Sequence, residues 1–143
     1  MTAGVPAMRV LHVIQQLSAG GAARAAITQA SGGIGRGDAH AVASLMPPDA
    51  RGAALAQAAG VPVHHGVDRG LAEAAAADVV QVHFWNTPEL YEFIAALTMP
   101  ARVVLYCPVA GDTPPHVVTP QLADWADCLV ACSPYTADVP AFA

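Results

Sequence analysis

Apolar residues along this chain fall into short, β-branched runs separated by alanine-rich stretches with helical spacing. The first run, Met8-Arg9-Val10-Leu11-His12-Val13-Ile14, has the character of a strand buried on both faces. The same pattern predicts strands over Met8–Gln15, His40–Leu45, Val61–His65, Asp78–His83, Arg102–Cys107 and Asp127–Cys132. Helices are predicted between them near Ala22–Ser31, Arg51–Ala59, Gly70–Ala77, Pro88–Leu97 and Thr119–Ala126. Strand–helix–strand alternation implies a parallel sheet with right-handed crossovers. The predicted fold is α/β: a Rossmann-like, doubly wound parallel sheet of about six strands in three α/β/α layers, ordered 3-2-1-4-5-6. No antiparallel hairpin is expected within Val61–His83, and no solenoid repeat is present.

The boundaries carry their own signals. Asn86-Thr87-Pro88-Glu89 is a helix start, with a polar cap, proline in the first turn and an acid near the positive end. Gly32, Gly33, Gly35 and Gly37 crowd the end of the first helix. Each glycine inside a helix costs about 1 kcal/mol relative to alanine, so that helix is expected to stop or fray near Ser31. The segment Pro108–Val118, rich in proline and glycine, is expected as a long non-repetitive loop after the fifth strand, a common place for function.

Composition narrows the classes. The 143 residues fit a single domain with a full core, and 55% hydrophobic against 12% charged residues suits a sheet covered by helices. All six basic residues are arginine, which excludes Schiff-base and P-loop lysine chemistry within this chain. A net charge of −5 argues against nucleic acid as partner. The N-terminus lacks a signal-peptide pattern, and no apolar run approaches the ~18 residues of a membrane span. Cys107, Cys128 and Cys132 form no spaced framework, which predicts structural thiols in a reducing, cytoplasmic setting. No metal is expected, because no second Cys/His pair completes a four-ligand set.

Chemically versatile residues gather after the carboxyl ends of the predicted strands. In open parallel sheets that edge holds ligands where the strand order reverses, here between strands one and four. Ser18-Ala19-Gly20-Gly21 leads into a helix whose first N–H groups favour an anion such as phosphate. The glycines there permit a sharp turn and close ligand approach. The spacing is neither G-x-G-x-x-G nor a P-loop, and a turn that only packs helix on sheet is the alternative. Trp85 offers a flat face to a sugar ring or caps the core. Asp112 serves as a base or hydroxyl acceptor, or is an ordinary turn residue. His83 contacts ligand or is a hydrogen-bonded structural histidine, and His12 reads as a packed core histidine. Asn86, Thr87 and His116 lie on the same predicted edge. His64-His65 point to opposite faces and make no metal site. Neither a nucleophile elbow nor a pair of glycosidase carboxylates is evident.

Three segments together resemble GT-B glycosyltransferases of the group 1, or GT4, type. They are Met8–Ile14 with Leu17-Ser18-Ala19-Gly20-Gly21-Ala22, Asp78–His83, and Ala126–Ser133. The resemblance implies the acceptor-side, N-terminal domain of a two-domain enzyme whose second domain binds the nucleotide-sugar and carries a paired-glutamate motif. It matches Gly20 and Gly21 to the glycine turn near the donor diphosphate, and His83–Thr87 to an acceptor loop. It further implies retention of anomeric configuration and no metal or other cofactor, the nucleotide-sugar being the donor substrate. The histidine that many members carry after strand five is replaced here by Cys107-Pro108. The sequence ends at Ala143, just after the sixth strand, so the implied donor domain lies outside it.

The leading expectation is therefore an acceptor-side domain that, with a donor domain or partner chain, transfers a sugar to an acceptor hydroxyl and is inactive alone. Its expected site residues are Asp112 and His83 for catalysis, Gly20 and Gly21 for donor phosphate, and Trp85, Asn86, Thr87 and His116 for a sugar or glycan-type acceptor. The alternative is a non-catalytic Rossmann-like binding or assembly subunit. A nicotinamide oxidoreductase fits poorly, because the glycine spacing differs and no acid ends strand two.

Overall fold

The computed structural model describes residues 7–98 and 101–142. Its strands are β1 (Arg9–Gln16), β2 (Ala39–Met46), β3 (Val63–His65), β4 (Val79–His83), β5 (Arg102–Cys107), β6 (Asp112–Thr113), β7 (His116–Val117) and β8 (Cys128–Ala131). The helices are α1 (Gly21–Gly35), α2 (Ala50–Ala58), α3 (Val67–Ala74), α4 (Pro88–Ala96), α5 (Pro120–Trp125) and α6 (Pro134–Ala137). Six strands form one parallel sheet in the order β3-β2-β1-β4-β5-β8, a Rossmann-like three-layer α/β/α arrangement. The order and direction inferred from the alternating pattern hold, including parallel pairing throughout Val61–His83.

The two faces bury different cores. Leu11, Val13, Ala43, Leu45, Val80, Val82 and Leu105 meet Leu90 and Phe93 of α4 and Leu122 of α5. On the other face, Ile14 and Val42 pack with Ala23, Ile27 and Ala30 of α1 and Ala56 of α2. Both faces of β1 are covered, which is why it reads as a continuous apolar run rather than an alternating one.

Three aspartates organise the amino-terminal edge of the sheet. Met8 N donates to Asp38 Oδ1 at 3.1 Å, Arg9 N to Asp78 Oδ2 at 2.8 Å, and Val103 N to Asp127 Oδ2 at 2.8 Å. Each carboxylate satisfies a backbone donor within one residue of a strand start. At the opposite end, buried Ser44 accepts from Leu17 N at 2.9 Å and donates to Met46 O at 2.6 Å, which pins the exit of β1 against β2.

Three expectations need correction. Helix α1 does not stop near Ser31 but continues through Gly32 and Gly33 to Gly35. Packing overrides propensity: a Cβ on Gly33 would lie 2.0 Å from His40 Nε2, so only glycine lets the helix pass this close to β2. The segment Pro108–Val118 is not irregular throughout, because β6 and β7 pair antiparallel within it. The last main strand ends at Ala131, which leaves Cys132 beyond it, and the following Ser133 caps α6 by accepting from Thr136 N at 3.2 Å.

Candidate functional site

The carboxyl ends of β1 and β4 diverge where the strand order reverses, and a cleft of about 480 Å³ opens there. It is walled by Gln15, Gln16, Ser18, Gly20, Gly21 and the first turn of α1 on one side, and by His83, Phe84, Trp85, Tyr106 and Pro108 on the other. Its volume lies within the usual range for small-molecule sites. Gly21 and Trp85, from segments 64 residues apart in sequence, border the same space.

Helix α1 enters this cleft by its N-terminus. Gly20 is the N-cap with no side-chain cap, and the first turn contains no acid. The N–H groups of that turn have no intrahelical partners, and the helix dipole adds positive potential. Arg24 Nε donates to Ala19 O at 2.9 Å, which draws a guanidinium back over the turn. The glycines do not serve as the conformational turn expected of them. Gly20 has φ −73° and ψ 174°, ordinary extended backbone, and neither it nor Gly21 has positive φ. Gly21 contributes open space, since a Cβ there would meet nothing within 4 Å, whereas a Cβ on Gly20 would lie 3.3 Å from Ser18 Oγ.

The opposite rim is built from residues that engage one another. Trp85, 38% exposed, lies against His116 with ring centroids 3.9 Å apart. Asn86 N donates to His116 Nδ1 at 3.2 Å, and Asn86 Nδ2 to Pro115 O. These contacts join the loop after β4 to the β6–β7 hairpin. Thr87 Oγ1 donates to Gln15 Oε1, and Gln15 Nε2 donates to Glu89 Oε2 at 2.9 Å, which ties β1 to the start of α4. Glu89 is held below its ordinary pKa, chiefly by that bond from Gln15.

Asp112 is placed differently from the expectation that it faces the main concavity. It lies exposed on β6, outside the cleft wall, because the hairpin carries it toward α6. There its carboxylate accepts from the Tyr135 hydroxyl and from Thr113 Oγ1 at 3.0 Å. The Tyr135 bond is the main reason its pKa lies below the ordinary value, which makes it a weaker base. His116 reaches the site only through Trp85 and Asn86. His83 is on the cleft wall and fully buried, with its pKa pushed down to about 3 by burial and then by His12.

Sequence reasoning missed Tyr106, whose ring lies 5.3 Å from that of His83 on the cleft wall. Its position at the carboxyl end of β5 was the available signal. It also missed Tyr135 as the partner of Asp112, a contact no local pattern announces. Among the described residues, no group of three or more histidines, cysteines or acids is arranged to hold a metal, and no helix is long and apolar enough to cross a membrane. Compared with protein-family models, with curated proteins and with solved structures, the chain matches none of them.

Proposed function

We propose that this chain is the acceptor-side domain of a glycosyltransferase, working with a donor domain to move a sugar from a nucleotide-sugar to an acceptor hydroxyl. The observation that carries the reading is the pairing, in one cleft at the switch point, of an uncapped helix N-terminus with an aromatic wall. The first suits the diphosphate of the donor, whose charge rises as the sugar departs. The second suits the apolar face of a sugar ring. Gly20 and Gly21 admit the phosphate, Trp85 stacks on the acceptor, and Asn86, Thr87 and His116 hold the Trp85 loop in place. His83 orients a bound oxygen. Asp112 holds the hairpin through Tyr135 rather than acting on the reacting atoms. Transfer needs donor and acceptor held together in one geometry, so this chain alone is expected to bind weakly and turn over negligibly.

A second reading, a non-catalytic Rossmann-like binding subunit, draws support from one observation. No acidic side chain belongs to the cleft wall, and Asp112 is engaged elsewhere. The deciding experiment is calorimetric titration of the chain with UDP-glucose and UDP, followed by a transfer assay with and without a donor domain. The glycosyltransferase reading expects binding that Gly21→Val weakens about 10-fold or more, equal to ~1.4 kcal/mol, and transfer only in the mixture. Absence of transfer in the mixture, together with absence of binding to either nucleotide, overturns it.

A further inference from the structure

Three histidines form a hydrogen-bonded chain across the sheet beneath α1. The register pairs His12 with Val42 and Gln81, so His12, His40, Gln81 and His83 share one face. His40 Nδ1 lies 2.9 Å from His12 Nε2, and His12 Nδ1 lies 3.2 Å from His83 Nε2. His40 is half-buried at the amino-terminal side, whereas His12 and His83 are each 1% exposed. The chain thus runs from the surface to the wall of the cleft, on the sheet face whose core is built from aliphatic side chains such as Ile14, Ile27 and Val42.

Its hydrogen-bond polarity follows from one amide. Gln81 Nε2 donates to Gln29 Oε1 at 2.6 Å and lies 3.4 Å from His83 Nε2. A neutral imidazole has one donor and one acceptor nitrogen, and His83 Nε2, facing an NH2 group, is the acceptor. His12 Nδ1 is then the donor to it, His12 Nε2 accepts, and His40 Nδ1 donates. Every proton points the same way, and the last, on His83 Nδ1, has no partner although that nitrogen is buried. A buried donor left without a partner is destabilising, and an oxygen of a ligand against the His83 wall of the cleft would relieve that.

We propose that Gln81 and His12 are positioning residues that fix His83 as a hydrogen-bond donor, through Nδ1–H, to an acceptor oxygen of the ligand in the cleft. This rests on the reading of the cleft as a nucleotide-sugar site. The oxygen belongs either to the diphosphate or to the sugar. Burial lowers the pKa of His12 to about 4 and of His83 to about 3, which keeps both rings neutral near pH 7. Protonation of His40 leaves the polarity intact, because the added proton goes to Nε2 and Nδ1–H still donates. The charges that act on His40 are Asp38 and Arg36, of opposite effect, while Arg9, His64 and Glu73 border the same shallow groove. Tyr106 packs against His83.

The test is two-bond ¹H–¹⁵N correlation spectroscopy on the uniformly labelled chain, which separates protonated from bare ring nitrogens. Expected are three Nδ1–H tautomers at neutral pH, with His12 and His83 unchanged while His40 titrates. An Nε2–H tautomer at His83, as a reversed Gln81 amide would produce, overturns the proposal. So does a tautomer switch at His12 or His83 during that titration. In Gln81→Leu, His12 and His83 should lose their single tautomers, whereas His40→Phe should leave that of His83 in place; unchanged spectra in Gln81→Leu overturn the positioning role. UDP and UDP-glucose are then added. A shift of His83 Nδ1–H with both assigns the oxygen to the diphosphate, and with UDP-glucose alone to the sugar. Shifts at the Gly21 amide without any at His83 overturn the donor role and leave the site reading standing. No shift at either residue overturns the site reading, and with it the donor role toward this ligand.

Discussion

Glycine does opposite jobs at Gly21, Gly33 and Gly52, and the differences are measurable. A Cβ on Gly52 would lie 2.4 Å from the backbone oxygen of Leu17, where nothing can give way. Gly52→Ala is therefore expected to destabilise the fold by ~1–3 kcal/mol, read as a lower urea midpoint. Gly33→Ala meets the His40 ring instead, which can swing out only by breaking its bond to His12. A similar loss is expected, accompanied by a change in the His12 ring signals. Gly21→Val has open space around it and should leave stability within about 0.5 kcal/mol while weakening UDP-glucose binding. The openness of Gly21 toward a ligand was legible from the sequence, but the contacts that require glycine at positions 33 and 52 were not. What separates them is which neighbour the fold brings to the missing side chain.

At the scale of elements, the parallel strands and their order were legible because each buried strand writes a continuous apolar run between turn residues. The start of α4 at Pro88 was also legible, although Thr87 makes no side-chain cap bond and donates to Gln15 instead, while the cap at the head of α2 was not read. Asp49 Oδ1 accepts from Gly52 N at 2.7 Å at the head of α2, and Asp49→Ala should cost ~1 kcal/mol in thermal or urea unfolding. The end of α1 was not, because local propensity argued against Gly32 and Gly33 while contact with β2 required the second of them. The β6–β7 hairpin was missed for a related reason. Two residues per strand leave no periodicity to read, and its place is fixed by long-range contacts of His116 and Asp112 with Trp85 and Tyr135. The histidine chain lay between these cases: its members were visible singly, but their common face needed the register of three strands.

For the molecule as a whole, the buried histidines set a pH dependence. The folded chain holds His12 and His83 neutral down to about pH 4 and 3, whereas unfolded histidines take up protons near 6.5. The unfolded state binds more protons across that window, so stability is greatest above it and falls as pH drops from about 6.5 toward 3. Urea midpoints at pH 7 and pH 5 should differ in that sense. A flat profile over this range would show that the two rings are not held neutral.

The cleft has one more consequence, which concerns cooperativity. Its walls come from β1 and β4, neighbours in the sheet that pair Val10 with Val79 and Val13 with Val82 across a long excursion of chain. The segment up to β3 and the segment from β4 onward each supply one wall. Neither supplies a binding surface by itself, so local fraying that parts β1 from β4 erases the cleft. Occupancy should therefore slow amide hydrogen exchange throughout the central strands rather than only beside the ligand. Ligand at 100 times its Kd would add ~2.7 kcal/mol to global unfolding, against little change for motions that leave the β1–β4 seam closed.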